Sequence, residues 1–191
     1  MKTIMSPTKT TKTTKKEVLP QNPFVFEVLE LTSKQRSKAK KVEVLQEYEH
    51  DALKAIFIWN FDDTVISMVP EGEVPYGDIG DQTVYSGTLS DNLEKEMRGD
   101  MESATGQDLD GRGKTSLRRE WQNLYHYVKG GNDSLTKTRR EMMFINLLRG
   151  LHPKESQVLC LVKDKVLQTK YKITKDIVET AYPDIQWGGR G

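Results

Sequence analysis

One cysteine in 191 residues cannot close an internal disulfide, so no covalent staple is available to the fold. That residue, Cys160, sits in VLCLV between Leu159 and Leu161, where a small buried thiol is expected. Nothing in its sequence neighbourhood marks an open, cation-rich site that would make it reactive. No run of about eighteen apolar residues occurs, which excludes a membrane-spanning helix. Histidine is also scarce: His50, His126 and His152 are far apart, and none has a second histidine or a cysteine at metal-ligand spacing. There is no G-x-S-x-G elbow to present a nucleophilic serine. The opening MKTIMSPTKTTKTTKK is basic, but no apolar stretch follows it, so it does not read as a secretory signal and a cytosolic protein is expected.

Charge, by contrast, is plentiful. Charged residues make up 30% of the chain against 36% hydrophobic, a polar balance that suits one modest domain with tail and loop segments. The net charge of +1 hides a segregation. Residues 1–61 carry eleven Lys or Arg against seven acids, residues 62–110 two against thirteen, and residues 111–191 sixteen against eight. An acidic middle therefore lies between basic ends.

The pattern along the chain predicts a mainly α protein: a small helical domain with a disordered basic N-terminal tail and an irregular acidic central segment. Residues 1–22 form a Thr/Lys-rich tail with too few apolar groups to offset the entropy of ordering it. The N-terminal helical segment, 23–70, opens on Pro23 with Phe24, Val28 and Leu31 at helical spacing. It continues through Val42, Leu45, Tyr48, Ala52, Ile56 and Trp59, with a joint near His50–Asp51. Residues 71–113 are acidic, interrupted by Gly and Pro, and read as irregular, with a short helix opening at TLSD and running to Met97. The C-terminal helical segment, 114–186, holds four stretches. Trp121, Leu124, Tyr125 and Val128 share a helical face ended by Gly130–Gly131, and RREMMFINLLRGL is ended by Gly150 and His152–Pro153. Pro153 starts a helix with Val158, Leu161, Val162 and Val166 as its stripe, and Thr174 caps a last one that Pro183 ends. Residues 187–191 are a short tail.

Two strings imitate catalytic motifs. DLDGRGKTS, residues 108–116, ends like a phosphate-binding loop, yet Asp108 stands where the first glycine of G-x-x-x-x-G-K-[ST] belongs. Gly106 precedes Gly111 by the right interval, but Arg112 then replaces the lysine, and no strand leads in. IFIWNFDDTVI, residues 56–66, resembles the D-x-D-x-T of haloacid dehalogenase-type phosphatases, but its first position is Asn60, and an amide cannot form the aspartyl-phosphate. Asp62 and Asp63 are expected to cap or flank a helix instead. A hydrolase would require the fold to bring one of them to His126 or His152.

The basic runs are the remaining candidates. KQRSKAKK places Lys34, Arg36, Lys38, Lys40 and Lys41 within eight residues. Arg118 and Arg119, with Arg139 and Arg140 and the nearby Lys137, form a second group close to Trp121, Tyr125 and Tyr127. Cations beside aromatic rings suit phosphate backbones and stacked bases. The same residues also suit a solvated helix face, or an internal contact with the acidic middle.

NPFVFEVLEL at 22–31, FDDTVISMVPEGEVPY at 61–76, MFINLLRGLHPKESQVLCLVKDK at 143–165 and ITKDIVETAYPDI at 173–185 carry a resemblance. They are similar to a family of uncharacterised proteins from T4-like tailed bacteriophages, marine and cyanobacterial ones especially. The resemblance implies a phage product made in the host bacterial cytoplasm, and no particular activity. Together these readings lead to an expectation of a non-enzymatic accessory protein, without cofactor or metal. It would bind a phage or host protein, or nucleic acid, during replication, transcription or host takeover. The alternative is a virion or assembly component that uses the LHPKESQVLCLV helix and the Tyr182 end against other subunits.

Overall fold

The computed structural model of the protein describes residues 17–72 and 114–190. The expectations for residues 1–16, for the acidic segment beyond Gly72, for the TLSD helix and for the start of DLDGRGKTS lie outside the described residues. Among those described, the chain is mainly α-helical and contains no strand, only an isolated antiparallel bridge between Ser67 and Val128. No helix among them is long and apolar enough to cross a membrane.

Helix α1, Val25–Lys34, follows Pro23 and an extended Phe24, whose N–H donates to Glu27 Oε2 at 2.8 Å. It buries Val25, Phe26, Val28, Leu29 and Leu31. Helix α2, Lys38–Glu47, is capped by Ser37 Oγ, which accepts Lys40 N–H, and buries only Val44 and Leu45. Helix α3, Asp51–Phe61, starts at the expected joint, where His50 Nδ1 accepts Ala52 N–H at 3.0 Å. Ala52, Leu53, Ile56, Phe57 and Trp59 bury it on several sides, and it packs against helices of the C-terminal half of the chain. A helix apolar over so wide an arc must sit at the centre of the core.

After α3 the chain runs as a strap, Val65–Val69, past Lys163. Trp59 Nε1 donates to Ser67 Oγ at 2.8 Å, and Ser67 Oγ donates to Lys163 O at 2.7 Å. Lys163, with its side chain fully buried, pairs with Asp164 and donates to Gly72 O at 2.7 Å.

The second half begins with a short α4, Leu117–Glu120, that passes directly into a 3-10 helix over Trp121–Tyr127. The tighter coil corrects the face expected from sequence. With about three residues per turn, Leu124 and Tyr127 fall together and are buried. Tyr125, expected inside, is 47% exposed. Helix α5, Lys137–Gly150, is capped by Thr136 and buries Arg140, Phe144 and Leu148 at four-residue spacing. Helix α6, Pro153–Lys163, has proline in its first turn, and His152 Nδ1 accepts Lys154 N–H.

Its stripe is Val158, Leu159 and Val162 rather than one running on to Val166, because Lys165 takes φ 57° and ends the helix. A short α7, Leu167–Tyr171, follows that the sequence reading did not separate. Helix α8, Lys175–Ala181, lies against α2, and Tyr182 donates its hydroxyl to Leu45 O at 2.7 Å. Helices of the segments 23–70 and 114–186 share one hydrophobic core. Cys160 is free and half-buried against it, and burial pushes its thiol up to about 12.

Both ends expected to be tails are partly fastened. Leu19 N–H donates to Tyr48 Oη at 3.0 Å, and Glu17 pairs with Lys34. Trp187 packs on the core, and Gly188 and Arg190 bond to the end of α3.

Candidate functional site

The five cations of 34–41 do not make one patch. The turn Gln35–Ser37 separates α1 from α2, and helical geometry then divides the charges. Lys38 and Lys41, three residues apart, reach the start of α8 and the end of α7: Lys38 pairs with Asp176 at 2.8 Å, and Lys41 Nζ donates to Lys172 O at 2.6 Å. Lys34 pairs with Glu17 at 2.9 Å. Arg36 and Lys40 are exposed and form no ion pair with another described residue.

Those two border a groove of about 890 Å³ between the end of α1 and one face of α2. Lys40, Glu43, Val44 and Glu47 recur at helical spacing and make one wall. Leu31, Lys34, Gln35 and the turn residues Arg36 and Ser37 make the other, with Glu17 at the rim. Leu31 and Val44 are 4% and 7% exposed, so the groove has an apolar floor under a rim of both signs.

The second basic group is also divided. Arg119 and Arg139 are exposed, and Arg118 is half-buried beside the start of α3, close enough to act on His50. Arg140 is 4% exposed. Its guanidinium donates to His126 O at 2.9 Å, Asn132 O at 3.0 Å and Leu135 O at 3.3 Å. It therefore ties the 3-10 helix and the following turn to α5 and is withdrawn from any contact surface. Of the nearby rings, Tyr127 stacks on Trp59 inside the core, Trp121 is half-buried, and Tyr125 is exposed against His126 at 4.0 Å.

The motif-like strings turn out to be junctions. Thr115 N–H donates to Gly150 O at 2.9 Å, and its hydroxyl donates to Glu120 Oε1 at 2.7 Å. Asn60 holds α7: its Oδ1 accepts Leu167 N–H at 3.1 Å, and its amide donates to Gln168. Asp62 ends α3 and is 2% exposed. Its Oδ1 accepts the N–H and hydroxyl of Thr64, and its Oδ2 accepts Gly188 N–H at 2.8 Å and Arg190 at 2.7 Å. Burial acts to raise its pKa, but these hydrogen bonds together outweigh burial and bring it down to about 2.

The histidines lie elsewhere. His126 contacts Asn132, and His152 stacks on Phe26 and meets Phe24 at a tilt. No group of three or more potential metal-ligating side chains occurs among the described residues.

One buried group escaped the sequence reading. Glu155, 0% exposed on α6, accepts Val25 N–H at 3.1 Å on one oxygen and Leu117 N–H at 3.0 Å on the other. It closes the first turns of α1 and α4 at once. In the sequence it is an acid in the first turn of a helix, a common surface preference that conceals a buried role.

A family model described as a family of unknown function, DUF6433, matches residues 28–108 and 98–169. The chain belongs to DUF6433. The match takes in the groove residues from Leu31 to Glu47, Asn60, Asp62 and Glu155, so the shared region of DUF6433 includes both the groove and the buried polar junctions. No curated protein and no solved structure matches this DUF6433 member.

Proposed function

We propose that this DUF6433 member is a non-enzymatic phage accessory protein that binds a phage or host protein through the groove between α1 and α2. It works in the cytoplasm of the infected cell during replication, transcription or host takeover. The phage setting rests on the resemblance of the sequence strings quoted above.

The observation that carries the reading is the groove: an apolar floor of Leu31 and Val44 under a rim that carries Arg36 and Lys40 as well as Glu17, Glu43 and Glu47. A rim of both signs complements a polypeptide, which offers charges of either sign and apolar side chains, better than a uniformly anionic phosphate backbone. The buried polar groups support it in a second way. Asp62, Asn60, Glu155 and Arg140 are each spent on hydrogen bonds that join helices or chain ends.

Nucleic acid is the second reading, favoured by the exposed Arg119 and Arg139 and by Tyr125 as an exposed ring. The virion reading would need other surfaces than the apolar residues first named for it. Leu151, Val158, Leu159 and Val162 of the LHPKESQVLCLV stretch, and Tyr182, lie within the core.

The test is affinity capture from infected cells with wild type and with Arg36→Glu/Lys40→Glu, each with and without nuclease. A partner kept after nuclease and lost in the double variant supports the groove. A partner lost to nuclease, or one that the folded double variant still captures fully, removes it. In the nucleic-acid case the apparent affinity would fall steeply between about 50 and 200 mM salt.

A further inference from the structure

The carboxylate at the end of α3 is held in place by its own neighbourhood before residues 188–190 reach it. Asp62 N–H donates to Ile58 O at 2.9 Å and closes the helix, and Lys165 Nζ donates to Asp62 O at 2.5 Å. Oδ1 accepts the N–H of Thr64 at 2.9 Å and its hydroxyl at 2.7 Å. That leaves two acceptors unused by the turn, Asp62 Oδ2 and the lone pairs of Thr64 Oγ1.

Residues 188–190 fill both. Gly188 N–H and the Arg190 guanidinium donate to Asp62 Oδ2 at 2.8 and 2.7 Å, and Arg190 N–H donates to Thr64 Oγ1 at 3.1 Å. The same guanidinium also folds back on its own segment, donating to Gln186 O at 2.5 Å. Gly188 and Gly189 take φ 86° and 72°, and a Cβ on either would meet nothing within 4 Å. Glycine is therefore needed here for its backbone conformation and not for space.

We propose that Asp62 and Thr64 form a binding site for a Gly-x-Arg segment of polypeptide, occupied in cis by Gly188–Arg190 and open in trans to a partner protein that carries a segment of the same chemistry.

The site is separate from the groove and does not depend on it. Its receptor half stays assembled without the resident segment, because every other bond of Asp62 is to α3, to Thr64 and Val65 just after it or to Lys165. The resident is free to leave: Arg190 is exposed, and two glycines join it to Trp187, which is anchored on the core with Lys175 Nζ 4.9 Å over its ring. Departure uncovers a carboxylate that is 2% exposed and strips it of its cation. A buried charge without a partner is costly, so the replacement has to bring a cation, and a neutral segment is rejected. The two N–H groups, two residues apart, fix the spacing that the replacement must match. A resident tethered so closely competes at an effective concentration on the order of millimolar, so a short peptide enters the wild-type site poorly.

The experiment is an NMR titration of the full chain with the peptide acetyl-Gly-Gly-Arg-Gly-amide, in wild type and in Gly188→Pro/Arg190→Ala. In that variant the resident offers neither the Gly188 N–H nor the guanidinium. The Thr64 amide signal of the variant should move with peptide and saturate at a concentration at least about ten-fold below that needed in wild type. A control peptide with alanine in place of arginine should leave the signal where it is. No movement of Thr64 in the variant, or equal movement with both peptides, overturns the proposal. A second measurement needs only wild type and so decides the matter even if the variant fails to fold. At about 10 mM arginine peptide, above the effective concentration of the resident, the Gly188 amide should lose at least about three-fold in hydrogen-exchange protection, and the alanine peptide should change nothing. Unchanged protection at Gly188 with the arginine peptide overturns the site.

Discussion

Asp62→Asn tests whether the chain end is fastened by charge. Asp62 Oδ1 can be imitated by the amide oxygen, which keeps the two bonds from Thr64. The amide nitrogen then replaces Oδ2 and points its own hydrogens at Gly188 N–H and Arg190, so two acceptor bonds are lost and donors face donors. The wild-type pKa falls from 3.8 to about 2, and Arg190 is 35% exposed, so its screened share is discounted. The ionised clamp then stabilises the fold by about 2 kcal/mol at neutral pH. Facing donors add about 1 kcal/mol more in the variant.

The asparagine protein should therefore unfold in urea with about 3 kcal/mol less stability at pH 7. Far-UV circular dichroism reports the loss for the whole fold, and tryptophan fluorescence also reports Trp187, which sits next to the clamp. The sign of the pH effect is fixed. A depressed carboxylate gives stability that is present above the unfolded value and is lost as pH falls from 3.8 toward 2, so the gap between the proteins should narrow between pH 5 and pH 3. A gap that stays constant over that range, or a variant as stable as wild type at pH 7, would refute the assignment of the clamp to charge.

Two further substitutions probe the interior. Arg140→Ala removes the guanidinium that donates to the carbonyls of His126, Asn132 and Leu135, and should cost about 3 kcal/mol in denaturant unfolding. It should leave partner capture through the groove intact at temperatures where the variant is folded. Phe57→Ala, at the fully buried centre of α3, should cost about 3–5 kcal/mol by calorimetry or urea unfolding. A loss below about 1 kcal/mol would mean that α3 is not the centre of the core.

What the sequence disclosed was whatever its nearest neighbours decide. α3 begins at the joint near His50–Asp51, Pro153 opens α6, and α8 begins after Thr174, as expected from signals within four residues of each boundary. The 3-10 helix was missed because periods of 3.0 and 3.6 differ by less than two positions over seven residues, too little for an apolar pattern to choose between them. The short α7 was missed for a different reason: its start is held by Asn60, 107 residues earlier, and no local cap announces it.

The polar junctions follow the same rule. Asn60 and Asp62 stood out in the sequence because they imitated a phosphatase motif, and that motif is defined by neighbours. Their actual work is done with Leu167, Gly188 and Arg190, which no local window contains. The basic run is the intermediate case. Once α2 is known to begin at Lys38, helical spacing alone puts Lys38 and Lys41 on one face and Lys40 with Glu43, Val44 and Glu47 on another. Reading 34–41 as one cluster therefore failed at a single missing fact, the turn at Gln35–Ser37. That turn changes the meaning of the run from a store of positive charge into two surfaces, one closing α2 on α8 and the other lining a groove.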